Sequence, residues 1–374
     1  MTFGIDIGTT SVAGVAIGRE GQVAATVTIA HGADFPGCRP GVHEQDPERL
    51  MSAVDQAVLE LESRTGAAER IGWTGQMHGV VGVDAHLRPV TSFVTWRDRR
   101  CFGGRVMAEW AAEGRTIAVC LPACGLAVSR RTGRCAIDST FLHSWHLEEV
   151  EGKVPGSWLP TLDDASMLGD NQAGVYAARR LLPGCAVVNL GTSGQLSVVE
   201  DTAFTPWSDG SVERRPYPGG KTLLCRASLV GGRVFAELKE ELGLSWEEMN
   251  ARAESDERIL RCICGIVDDL AVGMDISRVT SLVGVGNALT RNPAIRRAVE
   301  RRFGLTCEIP PVAEMAAYGA ALYAEEEFHH NLSNRNGKGK DFASVEKFCG
   351  RDFVLARHEP FAGDSSFLQA DGTA

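Results

Sequence analysis

The sequence predicts an α/β protein of two related lobes facing a central cleft. Three observations carry that prediction. An apolar β-hairpin opens the chain around the turn Gly8-Thr9-Thr10-Ser11, and a second hairpin with the same order of residue types recurs at Asn189-Leu190-Gly191-Thr192-Ser193-Gly194. A third is capacity: 374 residues at 44% hydrophobic and 23% charged can bury two cores. The expected division is a first lobe over 1–165, a second over 166–327 and a polar tail over 328–374.

Taken in order, Thr2 to Ile7 and Val12 to Ile17 alternate or run apolar and read as paired strands, with a third strand at Val23 to Ile29. Asp46-Pro47 is a cap residue followed by proline at the first helical position. Leu50, Val54, Val58 and Leu61 then recur at helical spacing, so one stripe lies on the sheet. Ile71 to Trp73 reads as a buried strand that opens into the polar loop Gly75-Gln76-Met77-His78-Gly79. Ligands of open α/β sheets gather at that end of strands. From about Arg100 to Leu162 the pattern is irregular and reads as a helical or mixed connector.

The second half begins near Gly169-Asp170, with Ala186 to Asn189 and Gln195 to Val199 as its hairpin. Ile259, Ile263, Ile266 and Leu270 mark a helix, Thr280 to Val283 a strand, Asn292-Pro293 the start of a helix through Phe303, and Ala316 to Ala324 a helix of small residues. Beyond about Glu327 the chain is polar, with Asn331 to Lys340 expected to be flexible.

A net charge of -10 argues against nucleic acid and anionic membrane as partners. No apolar run approaches the roughly 20 residues that span a bilayer, and no secretory signal opens the chain, so a cytoplasmic location is expected. The eleven cysteines are scattered and read as reduced thiols.

A glycine turn with two or three hydroxyl residues offers N–H and O–H donors to phosphate oxygens, although a tight hairpin can need the same residues for its geometry alone. Asp6, just before the first such turn, could hold a hydrated Mg²⁺ or merely end a strand. Its counterpart Asn189 is neutral, which spares a polyphosphate a second negative neighbour. Asp170 could accept a proton from a sugar hydroxyl or simply cap a helix. Gln76, His78, Asp98 and Arg99 supply donors and acceptors for a polyhydroxy ligand.

Together these segments resemble the FGGY family of carbohydrate kinases, within the actin-like ATPase (ribonuclease H-like) superfamily, in order along residues 2 to 326. The resemblance makes Gly4-Ile5-Asp6-Ile7-Gly8-Thr9-Thr10 a first phosphate motif, with Ser11 beside it and Asp6 toward the metal. Gly191, Thr192 and Ser193 belong to the second motif. Gln76, Met77 and His78, with Trp96, Asp98 and Arg99 of Trp96-Arg97-Asp98-Arg99-Arg100, become the substrate residues. Asp170 in Gly169-Asp170-Asn171-Gln172-Ala173 becomes the catalytic base. Gly231 and Gly232 line the cleft, and Gly284, Gly286 and Asn287, followed by Asn292, form the adenosine motif. Gln172-Ala173 and Arg291-Asn292 lean toward the sedoheptulose branch rather than the xylulose branch.

The chain departs from that family by lacking a block between about Leu142 and Trp158 and another between about Leu244 and Ile259. The activity implied is transfer of phosphate from ATP, with Mg²⁺, to a primary hydroxyl of a small ketose, sedoheptulose first. The alternatives are a sugar- or nucleotide-binding regulatory protein on the same fold, a kinase of xylulose or another polyol, and an actin-like ATPase acting on protein partners. A homodimer is left open.

Overall fold

The alternating residues at the start of the chain form the hairpin they predict. Strands β1 (Thr2–Ile7) and β2 (Ser11–Ile17) pair antiparallel with Ile7 opposite Val12, and the Gly8 N–H donates to the Ser11 carbonyl at 3.0 Å. The structure, a computed structural model, describes residues 1–335 except 101, 163–165, 206–209 and 229. Most of the expected tail therefore lies outside the described residues.

Strand β3 (Val23–Ala30) continues antiparallel to β2. Helix α1 (Pro47–Thr65) starts where Asp46-Pro47 predicts: the Asp46 carboxylate accepts from the N–H groups of Glu48 and Arg49, and Leu50, Val54, Val58 and Leu61 are buried. Strand β4 (Arg70–Gly75) then runs parallel to β1, and β5 (Met167–Gly169) parallel to β4. The five-stranded order is β5-β4-β1-β2-β3. β5 lies past residue 165 in sequence, yet it completes the first sheet.

The irregular connector is mixed: α2 (Gly103–Ala112), α3 (Ala123–Thr132) and α4 (Ser139–Ser144) alternate with short extended segments at Val119–Leu121, Ala136–Ile137 and Thr161–Leu162. Its widely spaced Trp110, Trp145 and Trp158 are all buried and join the first lobe's core.

The second sheet contains β6 (Cys185–Leu190), β7 (Gly194–Ala203), β8 (Glu213–Tyr217), β9 (Lys221–Ser228), β10 (Ser281–Val285) and β11 (Cys307–Glu308), in the order β8-β9-β7-β6-β10-β11. With β8 set aside, the order and the parallel or antiparallel sense of every pairing repeat those of the first sheet. The repeated hairpins are thus the visible part of a duplicated fold. β8 is an addition at the edge.

Helix α5 (Asp170–Leu181) follows β5, and α6 (Gly232–Leu242), α7 (Trp246–Arg252), α8 (Glu257–Ala271), α9 (Asn287–Arg291) and α10 (Pro293–Phe303) cover the second sheet. The last helix, α11 (Met315–Arg335), lies against α5 and the first sheet. Its small residues permit this. A Cβ on Gly319 would fall 1.8 Å from the Ala173 carbonyl oxygen, and a Cβ on Gly4 would fall 1.8 Å from that of Ala317. Val15 and Ile17 of the first sheet, Val175 and Tyr318 of the two helices, and Val187 and Val283 of the second sheet share one buried cluster. The helix pair therefore joins the two sheets. α11 outruns its expected end at Ala324 because Arg70 pairs with Glu325 at 3.0 Å and stacks over the Phe328 ring. Among the described residues no helix is long and apolar enough to cross a membrane.

Candidate active site

Ile7, Gly75 and Gly169 lie side by side across β1, β4 and β5. The turn Gly8–Ser11, the loop Gln76–Gly79 and Asp170 consequently leave one edge of the first sheet, at the C-terminal ends of three parallel strands. In the second sheet Asn189 is registered with Val285, so the turn Gly191–Ser193 and Gly286 also leave one edge. The start of α5 ties the two edges together: Asn171 Nδ2 donates to Gln195 Oε1 at 3.0 Å and to Ser197 Oγ at 3.1 Å, and Gln195 is the cross-strand partner of Asn189.

Two carboxyl groups share this junction. Asp6 Oδ1 is buried without a hydrogen-bond partner among the described residues. Its pKa is pushed up to about 8, first by burial, then by the like charges of Asp170 and Glu314. Asp170 is also held above the ordinary carboxylate range by burial, while the Asn171 N–H and the Arg215 charge pull it back. Asp170 is the first residue of α5, whose cap is Gly169, and Gly169 caps without a side chain. Asp170 Oδ1 accepts from Asn171 N–H at 2.7 Å and does not fill the cap position. A buried, unpartnered carboxylate oxygen beside a second acid is an arrangement that a divalent cation would relieve, since hard cations take carboxylate and phosphate oxygens.

The loop after β4 is anchored from both sides. Gln76 is buried and donates to Gln45 Oε1 at 3.2 Å, and Gln45 donates in turn to the Thr9 carbonyl and to Asp34. Met77 is buried beneath Gly169. His78 adopts a left-handed backbone with φ of 67°, a strain of about 1–3 kcal/mol for a non-glycine residue. Its N–H donates to Ser144 Oγ at 3.1 Å, and its Nδ1 lies 2.8 Å from the Ser144 carbonyl. That contact assigns the proton to Nδ1 and leaves Nε2 as an acceptor. Burial, followed by the Arg215 charge, lowers the His78 pKa to about 4, so the ring is neutral near pH 7.

The Trp-x-Asp-x-Arg segment divides. Trp96 is 49% exposed and its indole N–H donates to Thr9 Oγ1 at 2.8 Å, which sets an open aromatic face beside the first turn. Asp98 is 1% exposed and faces inward, with oxygens 2.7 Å from the Arg100 guanidinium and accepting from the His43 N–H. The Arg99 N–H donates to Gly41, and its side chain packs over that glycine.

In the second lobe, glycines allow close approach. Gly232 N–H donates to the Gly191 carbonyl at 2.9 Å, and a Cβ on Gly231 would fall 2.4 Å from the Ser193 carbonyl carbon. Arg233 N–H donates to Thr192. The start of α6 is therefore pressed against the second turn. Gly286, at φ of 88°, brings the start of α9 onto Leu190 and Asn189, and Asn287 is the first residue of α9. Gly284 faces inward, where a Cβ would meet Leu289 and Cys307. Asn292 is buried, donating to the Ala288 carbonyl and accepting from Asn250.

Sequence reasoning missed a cation. Arg215 on β8 is 8% exposed, donates to Glu213 at 2.8 Å and to Asn171 Oδ1 at 3.5 Å, and acts electrostatically on both Asp170 and His78. Only its place between charged neighbours, visible after folding, marks it.

Comparison with known proteins agrees with this architecture. Residues 1–120 match the model for the N-terminal domain of the FGGY family of carbohydrate kinases. Over 103 residues the chain is 34% identical to the xylulose kinase of Escherichia coli, a match covering 27% of this chain and 21% of that one, about a fifth of its length. Human sedoheptulokinase is 25% identical over 465 aligned positions, covering 86% of this chain and 96% of that one. Among solved structures, a gluconate kinase from Lactobacillus acidophilus superposes with a TM-score of 0.78 at 15% identity, covering 88% of this chain and 89% of that one, a likeness of fold.

Proposed function

We propose that this chain, a relative of the FGGY carbohydrate kinases, transfers the γ-phosphoryl group of ATP to a primary hydroxyl of a small ketose, sedoheptulose first. The observation that carries the reading is the junction itself. Asp6 on β1 and Asp170 just past β5 stand on the two strands that flank β4 in register, feel each other's charge, and are tied through Asn171 and Gln195 to the second glycine turn.

In this reading the N–H and hydroxyl groups of Thr9, Thr10 and Ser11 face the phosphate chain from one side and those of Thr192 and Ser193 from the other, with the N–H groups of Gly8 and Gly191 closing the two turns and Gly231 and Gly232 holding the second. The adenosine lies toward Gly284, Gly286, Asn287 and Asn292, the latter two fixing the α9–α10 corner. Asp6 is the residue that fits Mg²⁺, whose bound charge would neutralise the polyphosphate.

The ketose lies along Gln76, Met77 and His78 and the Trp96 face, with Asp98 and Arg99 shaping the loop beneath. His78 Nε2 accepts from a sugar hydroxyl. Asp170 takes the proton of the attacking hydroxyl as its oxygen bonds to the γ-phosphorus and the bond to the bridging oxygen of ADP breaks. General-base assistance of this kind contributes about 10² to 10⁴ in rate. Closure of the lobes excludes water.

The test is a coupled assay of ADP release with MgATP across sedoheptulose, xylulose, gluconate and glycerol. The expected result is acceptor-dependent turnover, greatest with a ketose. Turnover indifferent to every acceptor would remove the proposal. A second reading, binding without turnover, is favoured by gaps on this chain's side: the alignment with human sedoheptulokinase runs over 465 positions and takes in 96% of that protein, yet only 86% of the 374 residues here. Calorimetric binding of a ketose with no phosphorylated product would select it.

A further inference from the structure

The added edge strand β8 is the one strand of the second sheet without a counterpart in the first. It packs against α4 of the first lobe, where the His143 ring donates a hydrogen bond to the Arg214 backbone carbonyl and meets Phe204 edge-on at 5.2 Å. The strand thus carries Arg215 across to the acceptor side, between Asn171 at the start of α5 and the His78 loop.

Resting on the function proposed above, we infer that the Arg215–Glu213 pair determines acceptor specificity: Arg215 donates to an oxygen of an uncharged polyhydroxy acceptor, and Glu213 makes the site refuse a sugar acid.

An arginine has five N–H donors. Among the described residues three are engaged, two with Glu213 Oε2 at 2.8 and 2.5 Å and one with Asn171 Oδ1 at 3.5 Å. Two remain for a ligand. The positive charge, however, is already balanced by Glu213, and the His78 and His143 rings add none near pH 7, because burial lowers both to about 4. A hydroxyl or carbonyl oxygen gains a hydrogen bond there at little electrostatic cost. A carboxylate would have to displace or confront Glu213, so a sugar acid is disfavoured by repulsion as well as by the absence of an unmatched cation. Removing the Glu213 charge leaves a buried guanidinium without its counter-ion, and the carboxylate of an aldonate is the group that best replaces it.

The experiment compares wild type, Glu213→Gln, Arg215→Gln and Arg215→Lys at one pH, measuring kcat and KM with MgATP for sedoheptulose, xylulose and gluconate, and checking folding by thermal melting. Glu213→Gln is expected to raise the ratio of kcat/KM for gluconate over the best ketose by ~10-fold or more, mainly by lowering the gluconate KM. Arg215→Gln is expected to raise the ketose KM by ~10-fold with a smaller change in kcat and no gain for gluconate, and Arg215→Lys to recover part of the loss. The inference is overturned if folded Glu213→Gln discriminates as wild type does. That variant decides even where Arg215→Gln does not fold, because the Glu213 side chain is 53% exposed. If wild type neither turns over nor binds any acceptor by calorimetry, the proposed function itself fails, an outcome distinct from unchanged discrimination in an active enzyme.

Discussion

The first hairpin leaves four residues between Ile7 and Val12, whereas the second leaves three between Leu190 and Gly194. The first places a carboxylate, Asp6, at the strand end, with one oxygen buried and unpartnered; the second places an exposed amide, Asn189, there. Glycines crowd the second turn, with Gly231, Gly232 and Gly286 each closer than a Cβ would allow, while the first turn meets mainly polar side chains from Gln45, Gln76 and Trp96. Duplication of the fold fixes where loops emerge. It leaves each lobe free to fill them, one with acids and side-chain donors, the other with backbone brought close.

The comparison breaks most completely at the helix pair that joins the lobes. Gly319→Ala would drive a Cβ to within 1.8 Å of the Ala173 carbonyl oxygen, and we expect a loss of about 3 kcal/mol or more, or no soluble protein, by chemical denaturation. Next comes the contrast between the turns. Gly231→Ala, with its Cβ 2.4 Å from the Ser193 carbonyl carbon, should weaken MgATP binding by ~10-fold in calorimetry, whereas Gly8→Ala, whose Cβ meets the Ser11 carbonyl oxygen at 3.0 Å, should weaken it less. Equal losses would mean that the turns do not differ in how tightly they are packed.

The smallest effect concerns pH. His78 and His143 have folded pKa values near 4, chiefly through burial, against 6.5 in the unfolded chain. The folded protein therefore binds fewer protons than the unfolded one between these values, and stability present above pH 6.5 is lost as pH falls toward 4. His143→Gln should flatten the fall in Tm between pH 7 and 5, by about 1 kcal/mol in stability terms. An unchanged slope would show that His143 is not held neutral by its surroundings.

Much of this was legible in the sequence because the informative elements are local. The alternation of Thr2 to Ile17, the Asp46-Pro47 start of α1 and the stripe Ile259, Ile263, Ile266 and Leu270 each mark their element without help from distant residues. β5 was not legible, since three residues are too few to show a period and its strand character comes from pairing with β4. β8 was hidden for another reason: Glu-Arg-Arg-Pro-Tyr has little strand propensity, and only pairing with β9 orders it. In the candidate site, Asp6, Asp170 and the glycine turns announced themselves by residue type beside a strand end. Asp98 looked equally available, but its ion pair with Arg100 faces inward, a fate that spacing does not reveal. Arg215 lay outside any recognisable pattern because its partners Asn171 and His78 are distant in sequence.

The account rests on Asp170 facing a nucleotide held by two sister turns. Asp170→Asn keeps the shape of the side chain and removes its ability to take a proton, so the decisive measurement is acceptor-dependent ADP release by this variant alongside calorimetric MgATP binding. The account predicts turnover reduced by about 10² to 10⁴ with nucleotide affinity within a few-fold of wild type. Turnover at the wild-type rate would contradict it.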